Sequence, residues 1–103
     1  MLQSRYNVGM NTTFSANQTF SLASGVIVTQ VDGESVLLDS KNGQYFGLND
    51  TGTQILQLIE RQKYYSAICE ELAKTYPDNH SEINTDVSEL LSSLLSKKLI
   101  TSQ

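Results

Sequence analysis

The chain has 103 residues, of which 39% are hydrophobic and 17% charged, and its formal net charge at pH 7 is -4. This composition is typical of one small globular domain and excludes a disordered chain or a fibre. The acidic balance argues against a protein that binds nucleic-acid phosphates, because phosphates require Lys and Arg. The longest apolar run is far shorter than the roughly 20 residues that cross a bilayer as a helix, so no membrane partner is expected.

Cysteine use and the N-terminal residues both indicate the cytoplasm. Cys69 is the single cysteine and cannot form an internal disulfide, and its helical surroundings favour a buried thiol over a nucleophile. No Cys/His cluster supplies the four ligands of structural zinc, so we predict neither a metal nor a cofactor. Residues 1–20 lack the basic and apolar regions of a signal peptide.

The chain divides into a polar beginning and one domain. Residues 1–24 are rich in Asn, Ser, Thr and Gln, and we expect a weakly structured lead-in. Within it, Phe20 and Leu22 can add a short edge strand to the sheet. The domain proper is predicted to span residues 25–103.

Three strands follow the lead-in. Residues 26–31 and 34–39 are β-branched or apolar segments joined by Asp32-Gly33, a pair that favours a two-residue hairpin turn. Asn42-Gly43 predicts a second turn into the strand QYFGL, residues 44–48. Adjacent strand residues face opposite ways, so one of Tyr45 and Phe46 is expected in the core, and the pattern leaves open which. We assign to the core the face that carries Ile27, Val31, Val36 and Leu38.

Three helices complete the domain. The first covers about residues 50–61 and is capped by Asn49 or Asp50, and the second covers about 64–76, where Pro77 ends it. The third and longest begins at a capping box formed by Asn79 and Glu82 and runs to the lysines at 97 and 98. The predicted fold class is therefore α+β, a three-stranded antiparallel sheet followed by a three-helix bundle, similar to a winged helix-turn-helix.

The sequence contains no recognisable catalytic apparatus. His80 is the single histidine and falls at a helix start, where an exposed side chain is typical, so a catalytic triad is not expected. Glu70 and Glu71 lie on the polar side of the second helix. Asp86 and Glu89 share a face of the third helix and permit a weak cation site or an acidic patch toward a partner, but two carboxylates do not define a metal site. We predict a protein that is not an enzyme.

The third strand offers a different kind of site, because no further strand follows it to occupy its edge. Such an edge can pair with an extended peptide, and the third helix alongside would form one wall of a groove. A helical apolar stripe is typical of packing, so only some of its side chains are expected to line that groove. Two alternatives remain: a winged helix-turn-helix that binds DNA, and a structural subunit that uses the edge for protein pairing.

A set of residues between the second strand and the first helix resembles the PqqD-like family of peptide-recognition domains, also called RiPP recognition elements. These residues are Leu37-Leu38-Asp39, Gly43, Tyr45, Leu48-Asn49, Thr51-Gly52 and Ile55-Leu56. The segment LNDTGTQIL is most similar to the stand-alone recognition proteins of lasso-peptide gene clusters. The resemblance spans about residues 25–100.

The resemblance implies non-catalytic binding of the leader of a ribosomally made precursor, as a strand added between strand three and helix three. It also implies delivery of the precursor to a separate leader peptidase and a separate cyclase. The net charge favours a leader of some basic character, bound with modest salt sensitivity. The peptide-binding positions carried over from the family are Gln44, Tyr45, Phe46, Gly47, Asp86, Val87, Leu90, Leu91 and Leu94.

Overall fold

The computed structural model of this protein describes residues 14–102, apart from the side chains of residues 79–81. Five strands and three helices lie in this range. The strands are β1 (Phe20–Leu22), β2 (Val26–Val31), β3 (Glu34–Asp39), β4 (Gln44–Leu48) and β5 (Ile100–Ser102). The helices are α1 (Asp50–Glu60), α2 (Tyr65–Thr75) and α3 (His80–Ser96), with a short 3-10 turn at Pro77–Asn79 before α3. The predicted α+β fold class is confirmed.

The three predicted strands form one antiparallel sheet in the order β2-β3-β4. At the first turn both Asp32 (φ 52°) and Gly33 (φ 82°) have positive φ, as the predicted two-residue hairpin requires. At the second turn Gly43 has φ 69°, and its amide donates to the Asp39 carbonyl at 2.7 Å. Local turn chemistry therefore sets the register of the whole sheet.

The core side of this sheet is the opposite of the one predicted. Ile27, Val31, Val36 and Leu38 do share a face, but Ile27 is 52%, Val31 61% and Val36 39% exposed. The helices instead cover the face that carries Ser35, Leu37 and Asp39 on β3.

Ser35 and Asp39, the two buried polar residues of the helix-covered face, each have hydrogen-bond partners. Ser35 Oγ accepts a hydrogen bond from Thr53 Oγ1 of α1 at 2.9 Å. The Asp39 carboxylate accepts from the Lys41 amide and from the Asn42 side chain in the following turn. Buried polar groups cost little when they are hydrogen-bonded, so counting apolar residues selects the wrong face.

The described part of the lead-in is structured, which corrects the expectation for residues 14–24. β1 forms a second, two-stranded sheet with β5, in which Phe20 lies opposite Ser102, so it does not extend the three-stranded sheet. Phe20 is 1% exposed, and Phe14 packs edge-on against it with ring centroids 5.4 Å apart. The first 13 residues of the lead-in lie outside the described range.

The lead-in also supplies hydrogen-bond acceptors for the first backbone amides of α2. The Tyr65 amide donates to the Gln18 carbonyl at 2.9 Å, and the Ser66 amide donates to the Ala16 carbonyl at 3.1 Å. The first amides of a helix have no partner within the helix, and Tyr64 at the N-cap makes no side-chain cap. Residues of the polar lead-in therefore cap the N-terminus of α2.

The helix ends match the sequence signals within one or two residues. Asn49 Oδ1 caps α1 by accepting from the Gly52 amide at 2.9 Å. α3 ends in a Schellman motif, in which Lys98 has φ 61° and the Leu99 amide donates to the Leu94 carbonyl at 2.9 Å. The predicted capping box at the start of α3 involves the Asn79 side chain and lies outside the described side chains.

Candidate binding site at the free edge of the sheet

The two hairpins determine which backbone groups point out of the sheet at β4. The residues that flank the Asp32-Gly33 turn form a hydrogen-bonded pair, and such pairs alternate along an antiparallel ladder. Leu37 therefore bonds to β4 rather than β2, through its register partner Phe46. It follows that Tyr45 and Gly47 direct their amides and carbonyls away from β3. Within residues 14–102 no strand pairs with that edge.

The side chains of β4 divide between the two faces of the sheet. Phe46 is half-buried and Leu48 is buried on the side that faces the helices. Tyr45 is 74% exposed on the opposite side, which we call the outer face. The question that the sequence left open is thus answered, because Phe46 contributes to the core and Tyr45 does not. Gln44 is exposed at the start of the strand.

Two contacts orient α3 about its own axis. On one side the Tyr65 hydroxyl of α2 lies 2.7 Å from Ser88 Oγ. On the other side Lys97 Nζ lies 5.8 Å from the centre of the Phe46 ring on β4. Helical periodicity places Leu90 and Asp86 on the same side as Lys97 and away from Ser88. This side, which we call the edge flank, consists of Asp86 and Leu90 on α3 and Lys97 directly after it, and Lys97 is the member in contact with β4, at Phe46.

We call the region where the two elements adjoin the β4–α3 seam: Gln44–Gly47 together with the edge flank of α3. Of the residues predicted for peptide binding, Asp86 is exposed and Leu90 half-buried at the seam. Val87, Leu91 and Leu94 are 0% exposed and lie in the core, where they support the edge flank from behind. Sequence reasoning assigned Lys97 only to the helix end and missed its place at the seam. The signal was its spacing of seven residues from Leu90.

The charge along the exposed side of α3 does not suit nucleic acid. Thr85, Asp86, Glu89 and Ser93 are all exposed, as the sequence predicted. DNA phosphates require Lys and Arg at these positions. The DNA-binding alternative is not favoured.

Asp39 fixes the hairpin that leads into β4. Its carboxylate accepts from Asn42 Nδ2 at 2.8 Å and from the Lys41 and Asn42 amides at 3.0 and 3.3 Å. The side-chain hydrogen bond from Asn42, aided by those two amides, lowers the pKa of Asp39 below its ordinary value. The carboxylate thus holds the turn in the geometry that starts the edge strand.

The described residues form no metal-binding cluster. Within them, no group of three or more His, Cys, Asp or Glu side chains is placed to hold a metal ion. Burial raises the pKa of the half-buried Cys69 thiol, which disfavours the reactive thiolate. The His80 side chain is outside the described set. No helix in residues 14–102 is long and apolar enough to cross a membrane.

Comparison with known proteins identifies relatives of this arrangement. The model of the family described as coenzyme PQQ synthesis protein D (PqqD) matches residues 34–100. A solved structure described as TbiB1 in complex with the TbiA(beta) leader peptide is 29% identical, with a TM-score of 0.72 over 78% of this chain and 93% of that chain. A lasso peptide synthetase B1 complexed with the leader peptide is also 29% identical, with a TM-score of 0.70 over 80% of this chain and 96% of that chain. No curated protein matches the chain.

Proposed function

This chain belongs to the PqqD family, and on that premise we propose that it binds the leader peptide of a ribosomally synthesised precursor, without catalysis, by strand addition at β4. The observation that carries the proposal is the open edge at Tyr45 and Gly47 beside α3. Two structures that resemble this chain along most of their length are described as complexes with leader peptides.

Strand addition gives backbone groups and side chains different roles at the β4–α3 seam. The leader's backbone pairs with the outward amides and carbonyls of Tyr45 and Gly47, which sets its register. Its alternate side chains then point toward Phe46 and Leu90, the two half-buried apolar residues there. Backbone bonding suits many sequences, so these anchors supply selectivity and much of the binding energy. Gln44 and Asp86 contribute polar contacts at the rim.

The proposed partners follow from the proposed role. A protein that only holds a leader must present the precursor to other enzymes, namely a separate leader peptidase and a separate cyclase or other modifying enzyme. The similarity to a lasso peptide synthetase B1 supports the lasso branch. We place this work in the cytoplasm, where a single unpaired cysteine stays reduced.

The test removes one edge donor and leaves the rest of the protein in place. Gly47→Pro replaces an amide that points out of the sheet, so the bonds between β3 and β4 survive. Its matched control is Gln30→Pro on β2, which by the same alternation loses an amide at the opposite, unused edge. Binding of the fluorescein-labelled cognate leader peptide is measured by anisotropy, and folding of each variant by thermal unfolding.

We expect Gly47→Pro to weaken binding at least about tenfold, because one hydrogen bond is lost and the proline ring blocks the approaching strand. Gln30→Pro should bind like the original protein. Equal affinities for the two proline variants would place the leader elsewhere. Failure of the unmodified protein to bind its leader would overturn the proposed function itself.

A further inference from the structure

The outer face of the three-stranded sheet carries apolar side chains that nothing in the described chain covers. Five large apolar residues are exposed in residues 14–102, and four of them lie on this face: Ile27, Val31, Val36 and Tyr45. Exposed apolar patches of this kind mark interaction surfaces. The seam lies on the other side of β4 and leaves this face unexplained.

A notch in the outer face lies at Gly47. The register places Gly47 beside Val36, two residues from Tyr45 on the same face. A Cβ built on Gly47 meets no atom within 4 Å, and its φ is not positive. Neither crowding nor backbone conformation therefore requires glycine here. The missing side chain leaves Val36 39% exposed at the bottom of the notch.

The notch is continuous with the edge that the leader is proposed to occupy. Gly47 directs its amide and carbonyl to that edge, so a paired strand places one residue directly opposite it. Side chains of opposed residues lie on the same face of a sheet. The leader residue opposite Gly47 therefore projects onto the outer face, beside the notch and next to Tyr45. A large side chain can fold across a strand glycine onto the next strand.

We propose that Gly47 opens a second side-chain subsite, on the outer face, which takes one large apolar or aromatic residue of the bound leader and packs it on Val36 beside Tyr45. This inference rests on the proposed function. Leader side chains on both faces of the added strand are then recognised, one set at the seam and one residue on the outer face. The two residues that the leader side chain would contact, Val36 and Tyr45, are uncharged, which suits an aromatic or aliphatic group, and the exposed Glu34 lies next along β3 on the same face.

A second copy of this chain fits the face less well. Three strands spaced by about 4.8 Å and about six residues long present only on the order of 300 Å², whereas a stable interface buries roughly 800 Å² on each partner. The leader strand reaches the face without a large interface, because its backbone is already held at the edge.

The ring-current effect of an aromatic residue tests the location directly. The leader is synthesised with Phe at the position opposite Gly47, identified by backbone NOEs, and in a matched form with Ala there. Each peptide is added to the isotopically labelled protein, and the Val36 methyl signals are followed. Val31, at the far corner of the same face, is the internal control, and the chain contains no tryptophan to interfere.

We expect the Phe peptide to move the Val36 methyl signals upfield and to leave Val31 unchanged, while the Ala peptide moves neither. The Phe form should bind about tenfold more tightly than the Ala form. In Gly47→Val, which keeps the edge amide but fills the notch, the upfield shift at Val36 should disappear. Thr29→Val places the same side chain on β2, on the side of Val36 away from the notch, and should retain the shift.

The outcomes separate this inference from the proposed function. If the Tyr45 and Gly47 amide signals respond to the leader but Val36 does not respond to Phe, the outer subsite does not exist and strand addition stands. If those amide signals do not respond at all, strand addition at β4 fails and the subsite fails with it. A Val36 shift that survives in Gly47→Val also contradicts the notch.

Discussion

The two sheets of this protein treat their strand edges in opposite ways. β1 and β5 join the two ends of the described chain, and their inner residues Phe20 and Ile100 are almost fully buried. β4 leaves its outer amides without a strand partner in the described residues and displays Tyr45 to solvent. The same backbone chemistry thus supports stability at one sheet and provides a place for a ligand at the other. An open edge is a liability unless it is used.

The sharpest way to break this comparison is to remove Phe20. Phe20→Ala should lower the free energy of unfolding by about 3–5 kcal/mol, because the side chain is 1% exposed and contacts Phe14. Tyr45→Ala at the open edge should change it by less than about 0.5 kcal/mol. Urea unfolding followed by circular dichroism measures both. Similar losses would mean that the two sheets do not differ in role.

Two adjacent leucines of α3 separate the core from the seam. Leu91→Ala should cost about 2–5 kcal/mol of stability, since Leu91 is 0% exposed, and leave the leader affinity of the folded protein unchanged. Leu90→Ala should instead weaken leader binding severalfold, by about 1 kcal/mol, with a smaller loss of stability. Urea unfolding and fluorescence anisotropy together decide. If Leu91→Ala impairs binding while the protein stays folded, Leu91 contacts the leader directly.

The hairpin before β4 should give stability that depends on pH. Because the pKa of Asp39 is lowered in the folded protein, its contribution is complete above the unfolded-state pKa of about 3.9 and is lost as the pH falls through the lower folded value. Asp39→Asn should therefore destabilise the protein at pH 7 and pH 5, and the difference should shrink below about pH 4. Urea unfolding of both proteins at pH 7, 5 and 3 measures it, and a difference independent of pH would exclude the charged carboxylate as its source.

The smallest expected effect concerns charge at the rim of the seam. If the leader is basic, Asp86→Asn should slow association about two- to threefold at low salt and have little effect at high salt. Glu70→Gln is the matched control, because it removes the same charge from an exposed position on α2, outside the β4–α3 seam. Stopped-flow association at two salt concentrations gives the rates. A loss of affinity by orders of magnitude in salt would contradict the expected apolar anchors.

Local signals in the sequence predicted most of the secondary structure. Asp32-Gly33, Asn49 and Pro77 each act within a few residues, so the turn, the cap and the helix end could be inferred without the fold. The strand order indicated the open edge and the flanking helix as a site, and the family resemblance added the expected ligand and the peptide-binding positions. That Asp86 and Leu90 of α3 contact a ligand stays a prediction.

Long-range contacts account for what the sequence did not reveal. Phe20 pairs with residues more than 75 positions away, so its strand could be anticipated but not its partner. Lys97 follows the end of α3 and meets the Phe46 ring only in the folded chain, because the two residues are far apart in the sequence. In the sequence, Val87, Leu91 and Leu94 belong to the same apolar stripe as Leu90. The orientation of α3 in the fold buries the first three completely and leaves Leu90 half-buried.

The sequence by itself determined the order of strands and helices, their limits and the family, because turns, caps and periodicity are encoded by neighbouring residues. Only the tertiary structure decided which face of the sheet is buried. Ser35 and Asp39 can be buried because Thr53 and the hairpin turn provide their hydrogen-bond partners. Ile27, Val31 and Val36 then lie on the exposed face. The Thr53 hydroxyl is 18 residues from Ser35 in the sequence and meets it only in the folded chain, so the pattern of apolar residues could not show that this face is buried.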